Sequence, residues 1–189
     1  MLISEKLSTA ADECVSACKT ALEASYERAV QKLAPGERTP QKNVFHTTED
    51  LDNYLEHGER MKRRALDIVA GSVLQSRRTI SAAPTAAAAS YIEMLAARKE
   101  IEPMEFTFAL EHYGDNYNAA SRIIEIAAKH GHTLTINDAT LKKAVAQSEL
   151  YKSLSSVLDP RTLYNNISSN PNYYAWYFMQ VKPKFAAFD

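Results

Sequence analysis

Glycine is scarce in this chain, with five among 189 residues. None of the five is spaced as a Walker A loop or as Gly-x-Gly-x-x-Gly, which excludes the usual backbone cradles for nucleotide phosphates. Cysteine is scarcer still: Cys14 and Cys18 stand alone, too few for a disulfide framework and suited to a reducing compartment. No stretch approaches the roughly 18 apolar residues of a membrane span. The opening Met1-Leu2-Ile3-Ser4-Glu5-Lys6 has neither the basic start nor the apolar run of a secretory signal. Together these absences predict a cytoplasmic protein that does not contact membrane. Neither sign of charge is in excess, with 22 Lys and Arg against 23 Asp and Glu. Dividing after Ile80 gives 12 basic and 12 acidic residues before and 10 and 11 after, so neither half is a nucleic-acid footprint by charge alone.

What is present is helical periodicity. Leu7, Ala11, Cys14, Cys18, Leu22, Tyr26, Ala29 and Leu33 alternate steps of three and four, one stripe of a long first helix. Pro35, Gly36 and Pro40 end it. Thr47 or Thr48 can cap a second helix with Glu49 and Asp50 in its first turn. Its apolar face is Leu51, Tyr54, Leu55, Met61, Ala65, Ile68, Val69 and Val73. Unbroken to Arg78, that helix spans roughly 45 Å; Gly58 and Gly71 are its weak points. An antiparallel hairpin of the two is the natural way to bury both stripes.

The alanine-rich stretch around Pro84 marks the best boundary in the chain. Beyond it the pattern predicts a helix to about Glu100, one from Pro103 to Gly114, and one after Asn116 or Asn118 closed by Gly131. Another is capped by Asn137 or Asp138, and two more open at Asp159-Pro160 and Asn170-Pro171. Thr133-Leu134-Thr135-Ile136 is the single alternating, strand-like stretch. The fold class expected is all-α: a long antiparallel helical hairpin over residues 1–80, then a compact multi-helix bundle over 81–189 with an aromatic tail.

Candidate chemistry is thin. Cys14 and Cys18 share a helix face and could supply two thiolate ligands, but both fall on the apolar stripe, where small cysteines pack. His112, Asp115, His130 and His132 gather in or beside two loops as a conceivable zinc set, without the spacing of a known metal motif. Ser16-Ala17-Cys18-Lys19 fits Ser-x-x-Lys but lacks its companion motifs. Glu100, Glu102 and Glu105 look like solvated helix ends. The chain is therefore expected to be no enzyme, to need no cofactor and to hold no metal; a metal-dependent hydrolase is the weakest alternative. Residues 126 to 141, with Ala127-Ala128-Lys129-His130-Gly131 at their centre, invite a helix-turn-helix reading. Their connection is longer than that motif's turn. The same stretch resembles the helical end of leader domains in some natural-product precursor peptides, a likeness that implies no site.

Two surfaces stand out. Arg60, Arg63, Arg64 and Arg78 fall within a ~100° stripe opposite the second helix's apolar face, with Arg77 beside them, suiting phosphate or an acidic protein. Glu56 and Asp67 interrupt the stripe and can pair with Arg60 and Arg63. The tail holds eight of the seventeen aromatic residues: Tyr164, Tyr173, Tyr174, Trp176, Tyr177, Phe178, Phe185 and Phe188. A helix there spreads Tyr173 to Phe178 over roughly 200° of its circumference, more than one packing surface covers. Tyr173, Tyr174, Trp176, Tyr177, Phe178, Phe185 and Phe188 are thus the candidate partner-binding residues, the last two on an extended end after Pro183. The function expected is non-catalytic macromolecular binding by an adaptor, assembly factor or inhibitor, of the sort common among phage and mobile-element products. Its partner would be another protein or a second copy in a homo-oligomer. Nucleic acid held on the arginine stripe is the alternative.

Overall fold

The computed structural model describes every residue except Pro171, and the side chains of all but Tyr174, Ala175 and Phe178 among the rest. The described chain is all-α, with no strand among the described residues. Its helices are α1 (Ile3–Gln31), α2 (Thr48–Ser81), α3 (Ala86–Ala97), α4 (Pro103–Tyr113), α5 (Tyr117–Lys129), α6 (Ala139–Val157), α7 (Pro160–Ser169) and α8 (Tyr173–Gln180), followed by a 3₁₀ helix over Lys182–Phe188. The expected helix opening at Asn170-Pro171 falls on a residue outside those described.

Two compact units result, one of Met1–Gly71 with Leu150–Asp189 and one of Ser72–Glu149. This division differs from the expected one after residue 80. It places the aromatic tail with the N-terminal helix, because α1 alone cannot cover its own apolar stripe.

In the first unit, α1 buries Leu7, Ala11, Cys14, Val15, Cys18, Leu22 and Ser25. The 3₁₀ helix and α7 pack against this stripe. The closing residues are not the extended end expected from Pro183. In a 3₁₀ helix residues three apart eclipse, so Phe185 and Phe188 present one face and both are buried. Each contributes about 1.5–3 kcal/mol of burial. Polar ties close the same seam. Lys182 Nζ sits 2.6 Å from Asp12 Oδ2. The Ser4 N–H donates to Asp189 Oδ1 at 2.9 Å, and the Ser4 hydroxyl donates to Asp189 Oδ2. Leu2 occupies the N-cap of α1 and offers no side-chain acceptor. The Asp189 carboxylate therefore takes up a first-turn donor that a local cap would otherwise satisfy, where the helix dipole favours negative charge.

Where α1 meets α2, Ser25 Oγ donates to Asp50 Oδ2 at 2.8 Å and accepts the His46 N–H at 3.0 Å. Arg28 reaches Asp50 Oδ1 at 2.5 Å, and Thr47 caps α2 by accepting the Asp50 N–H at 3.0 Å. One turn further on, Tyr54 is hydrogen-bonded with Cys18. Its hydroxyl donates to the Pro160 carbonyl at 2.9 Å. Asp50 against Ser25 and Tyr54 against Cys18 run in opposite senses, so these first turns of α2 are antiparallel to the second half of α1. Gly58 lies against Pro160: a β-carbon there would sit 2.7 Å from Pro160 Cβ. What reads as a weak point in the helix is a contact that only glycine makes.

The second unit is built on Ala88, Ile92, Leu95, Ile101, Phe106, Ala109, Ala119, Ile123, Ile126 and Ala127, drawn from α3, α4, α5 and the turn before α4. The caps are local, and those of α5 and α6 match the expected starts. Thr85 accepts the Ala88 N–H, Asn116 the Ala119 N–H and Asp138 Oδ1 the Leu141 N–H. α5 ends in a Schellman motif: His132 N–H bonds Ala127 O at 2.9 Å and Gly131 N–H bonds Ala128 O at 3.0 Å. Gly131 takes φ 82° there, a conformation open to glycine at no steric cost.

Candidate functional site

α8 carries Tyr173, Trp176 and Tyr177 of the aromatic cluster, and its periodicity divides them. Tyr173 and Tyr177 are four apart and both buried, as are Val181, Phe185 and Phe188 beyond them. The expectation that Tyr173, Tyr177, Phe185 and Phe188 face a partner is therefore corrected: all four belong to the core of the first unit, because α1 has no other cover there. The side chains of Tyr174 and Phe178, two more candidates, lie outside the described residues. Trp176 alone of the described set turns outward, 47% exposed, with its ring 5.5 Å from that of Tyr173. Met179, three residues on and 71% exposed, lies on the same face. The result is a helix whose one side is core and whose other side presents an indole and a thioether to solvent.

The expected pairing of the α2 arginines holds for Arg60 and not for Arg63. Arg60 is held by Glu56 at 2.6 Å. Arg63 and Arg64, exposed on the same stretch of the first unit, form no ion pair among the described residues, and Asp67 does not engage either of them. Lys62 turns away to Asp159 at 3.1 Å and Glu59 at 3.3 Å. Arg77 and Arg78 belong to the second unit, where both are exposed.

The metal candidates are not brought together. Among the described residues no group of three His, Cys, Asp or Glu side chains is placed to hold an ion. His130 and His132 both pack on the Phe106 ring, at 5.8 and 5.6 Å between centroids. His112 stacks on Phe108 at 3.9 Å. Cys14 and Cys18 are free and buried in the α1 stripe. Burial pushes each thiol up to about 11, with the Glu13 charge adding to the effect at Cys14. A neutral thiol is a poor nucleophile and a poor metal ligand. Ser16 and Lys19 occupy the exposed side of α1.

Two further features were not anticipated. A groove of about 610 Å³ opens at the joint between α1 and α2, lined by Arg28, Lys32, Glu37, His46 and Asp50 among others. The hydrogen bond from Ser25, reinforced by Arg28 and Thr47, holds the Asp50 carboxyl below its usual range against the opposing pull of burial. This carboxylate is committed to fixing the turn. On α4, Met104 and Phe108 stand exposed four residues apart, a spacing that was present in the sequence and passed over. The stretch Thr133–Asn137, singled out by its alternation, belongs to no helix or strand and lines a groove of about 440 Å³.

Comparison with known proteins finds no family model, no curated protein and no solved structure that matches this chain.

Proposed function

We propose that the chain is a non-catalytic binding protein, an adaptor, assembly factor or inhibitor of the cytoplasm. It holds a protein partner or a second copy of itself on the Trp176–Met179 face of α8. The observation that carries this reading is the exposure of the chain's one tryptophan on a helix whose opposite side is buried. Tryptophan is the residue most enriched among interface hot spots, and methionine adapts to irregular partner surfaces. Burial of Tyr173 and Tyr177 supports the face from behind, so the anchor is presented on a rigid element and loses little freedom on binding.

The test compares wild type with Trp176→Ala and Met179→Ala by light scattering and by pull-down from the native host. Met179→Ala should unfold at the wild-type midpoint, and Trp176→Ala, which also loses the ring contact with Tyr173, only modestly below it. Loss of the indole should weaken partner or self-association by about 2 kcal/mol or more, roughly 30-fold. If both variants retain the wild-type partner profile and mass in solution, the reading fails.

A second reading rests on Arg63 and Arg64, exposed and without an ion pair beside the paired Arg60. Such guanidinium groups suit phosphate, and the partner would then be nucleic acid. Labelled single-stranded and duplex DNA, titrated at two salt concentrations, distinguish the two. Binding that weakens steeply with salt and with Arg63→Ala and Arg64→Ala supports this second reading; no binding at low salt ends it.

A further inference from the structure

The second unit carries a strand-like stretch that pairs with nothing among the described residues. Thr133 to Asn137 join α5 to α6 outside any helix or turn. Their side chains alternate as a strand's do: Leu134 and Ile136 are half-buried, while Thr133, Thr135 and Asn137 are exposed. Leu134 packs on the core of the unit, which anchors the segment. Threonine and isoleucine are β-formers. No hydrogen bond to any backbone group of these five residues is formed among the described residues. Main-chain donors and acceptors in such a row are a template for a further strand, here roughly 17 Å long.

Beside the segment lies the groove of about 440 Å³, which it forms with the end of α4 and the turn that follows. The groove's apolar wall is Leu110, Ala120, Leu134 and Ile136. Its charged groups are Glu111, Asp115 and Asp138, and no lysine, arginine or histidine lines it. Asp138 is engaged as the cap of α6. Glu111 and Asp115 are exposed and pair with no cation among the described residues. The unpaired backbone selects an extended chain, the carboxylates select cations, and the same carboxylates repel a phosphate backbone.

We infer that the second unit takes up an extended peptide bearing lysine or arginine. It adds as a strand to Thr133–Asn137, setting alternate apolar side chains in the groove and its cations against Glu111 and Asp115. Hydrogen bonds along the edge supply affinity without regard to sequence, and the acidic rim supplies selection. The site is separate from α8 and does not depend on the role proposed for Trp176.

The experiment uses the full chain, isotope-labelled, with a short capped peptide of alternating lysine and valine as probe. Amide hydrogen exchange across 133–137 should be fast in the free protein. On adding the probe it should slow at alternate residues, either 133, 135 and 137 or 134 and 136. The same peptide N-methylated along its pairing edge should not protect them, and an alternating glutamate–valine peptide should not bind. Glu111→Gln with Asp115→Asn, both at exposed side chains without partners, should leave the fold intact and weaken the lysine peptide several-fold. Absence of protection at all five amides on titration overturns the proposal. So does undiminished binding by the double variant. Protection that appears without peptide and grows with protein concentration also overturns it, since the edge would then be occupied by a second copy.

Discussion

The same substitution at two glycines of α2 should stabilise at one and not at the other. Replacing glycine by alanine inside a helix stabilises by about 1 kcal/mol through backbone entropy and propensity alone. At Gly71 a new β-carbon meets nothing within 4 Å, so Gly71→Ala should deliver that gain undiminished. At Gly58 the β-carbon would fall 2.7 Å from Pro160 Cβ and 2.9 Å from Pro160 Cγ. Carbon atoms pack comfortably at roughly 3.5–4.0 Å, so the helices must open by about 1 Å. Pro160 is poorly placed to yield. Its carbonyl accepts the Tyr54 hydroxyl at 2.9 Å. The preceding Asp159 is fixed as the cap of α7 by the Thr162 N–H at 3.0 Å and is ion-paired with Lys62 at 3.1 Å. Overpacking of this kind costs about 1–3 kcal/mol. Set against the helical gain, Gly58→Ala should be neutral to destabilising by about 2 kcal/mol and should lie about 1–3 kcal/mol below Gly71→Ala. Urea unfolding followed by circular dichroism reads the difference directly, provided the m-values agree. At this chain length it corresponds to a separation of roughly 2–12 °C in melting temperature. If Gly58→Ala raises the midpoint as much as Gly71→Ala does, the packing of α7 on α2 is not as described.

Other expectations follow from the same core. Phe185→Ala should cost about 3–5 kcal/mol, and a chain ending before Lys182 should lose cooperative unfolding of the first unit; a truncated chain as stable as the full one would return the tail to the surface. Cys14 and Cys18, each pushed up to about 11 by burial, should have a thiolate fraction roughly 100-fold below that of a free thiol; a chromogenic disulfide should label neither at neutral pH and both in denaturant, and rapid labelling of the native protein would contradict the α1 packing. Asp50 and Asp159 are both held below the usual carboxylate range: at Asp50 the Ser25 hydrogen bond leads, and at Asp159 burial is outweighed by the Thr162 N–H and Lys62. A depressed folded-state value means that their stabilisation is full above the unfolded value near 3.9 and is lost as pH falls through the folded one. Asp159→Asn should therefore lower stability at neutral pH and flatten the acid limb of the stability profile; an unchanged limb would show that the Lys62 pair contributes nothing.

Helix starts were legible because caps act over three residues. Asn116, Asp138 and Asp159-Pro160 each announce a helix to the chain immediately after them, and Gly131 closes α5 in the motif its type favours. The pairings that build the first unit were not legible. Ser25, a polar residue at a core position, is explained by Asp50 and His46 beyond the next turn. Gly58 is explained by Pro160, and Ser4 by Asp189, 185 positions away. No local pattern encodes a partner at that distance, so the boundary after residue 80 followed composition while the chain followed contacts. The alternation of residues 133–136 was read with the correct period. It makes no strand among the described residues because nothing in the second unit pairs with it.

The aromatic tail shows why composition alone could not separate core from interface. A helix turns about 100° per residue, so adjacent aromatic residues must diverge. Tyr173 and Tyr177, four apart, return to one side and are buried, while Trp176 is carried to the other. After Val181 the period tightens to three, and Phe185 and Phe188 come back onto α1 together. The change of period at Val181 is what converts two expected hooks into core. It also concentrates the surface argument on Trp176, a residue whose removal should leave the core intact. Phe185 and Trp176 are thus complementary probes, the first reporting through stability and the second through association. A Trp176→Ala protein that melts like Phe185→Ala would place the indole in the core and remove the face on which the proposed function stands.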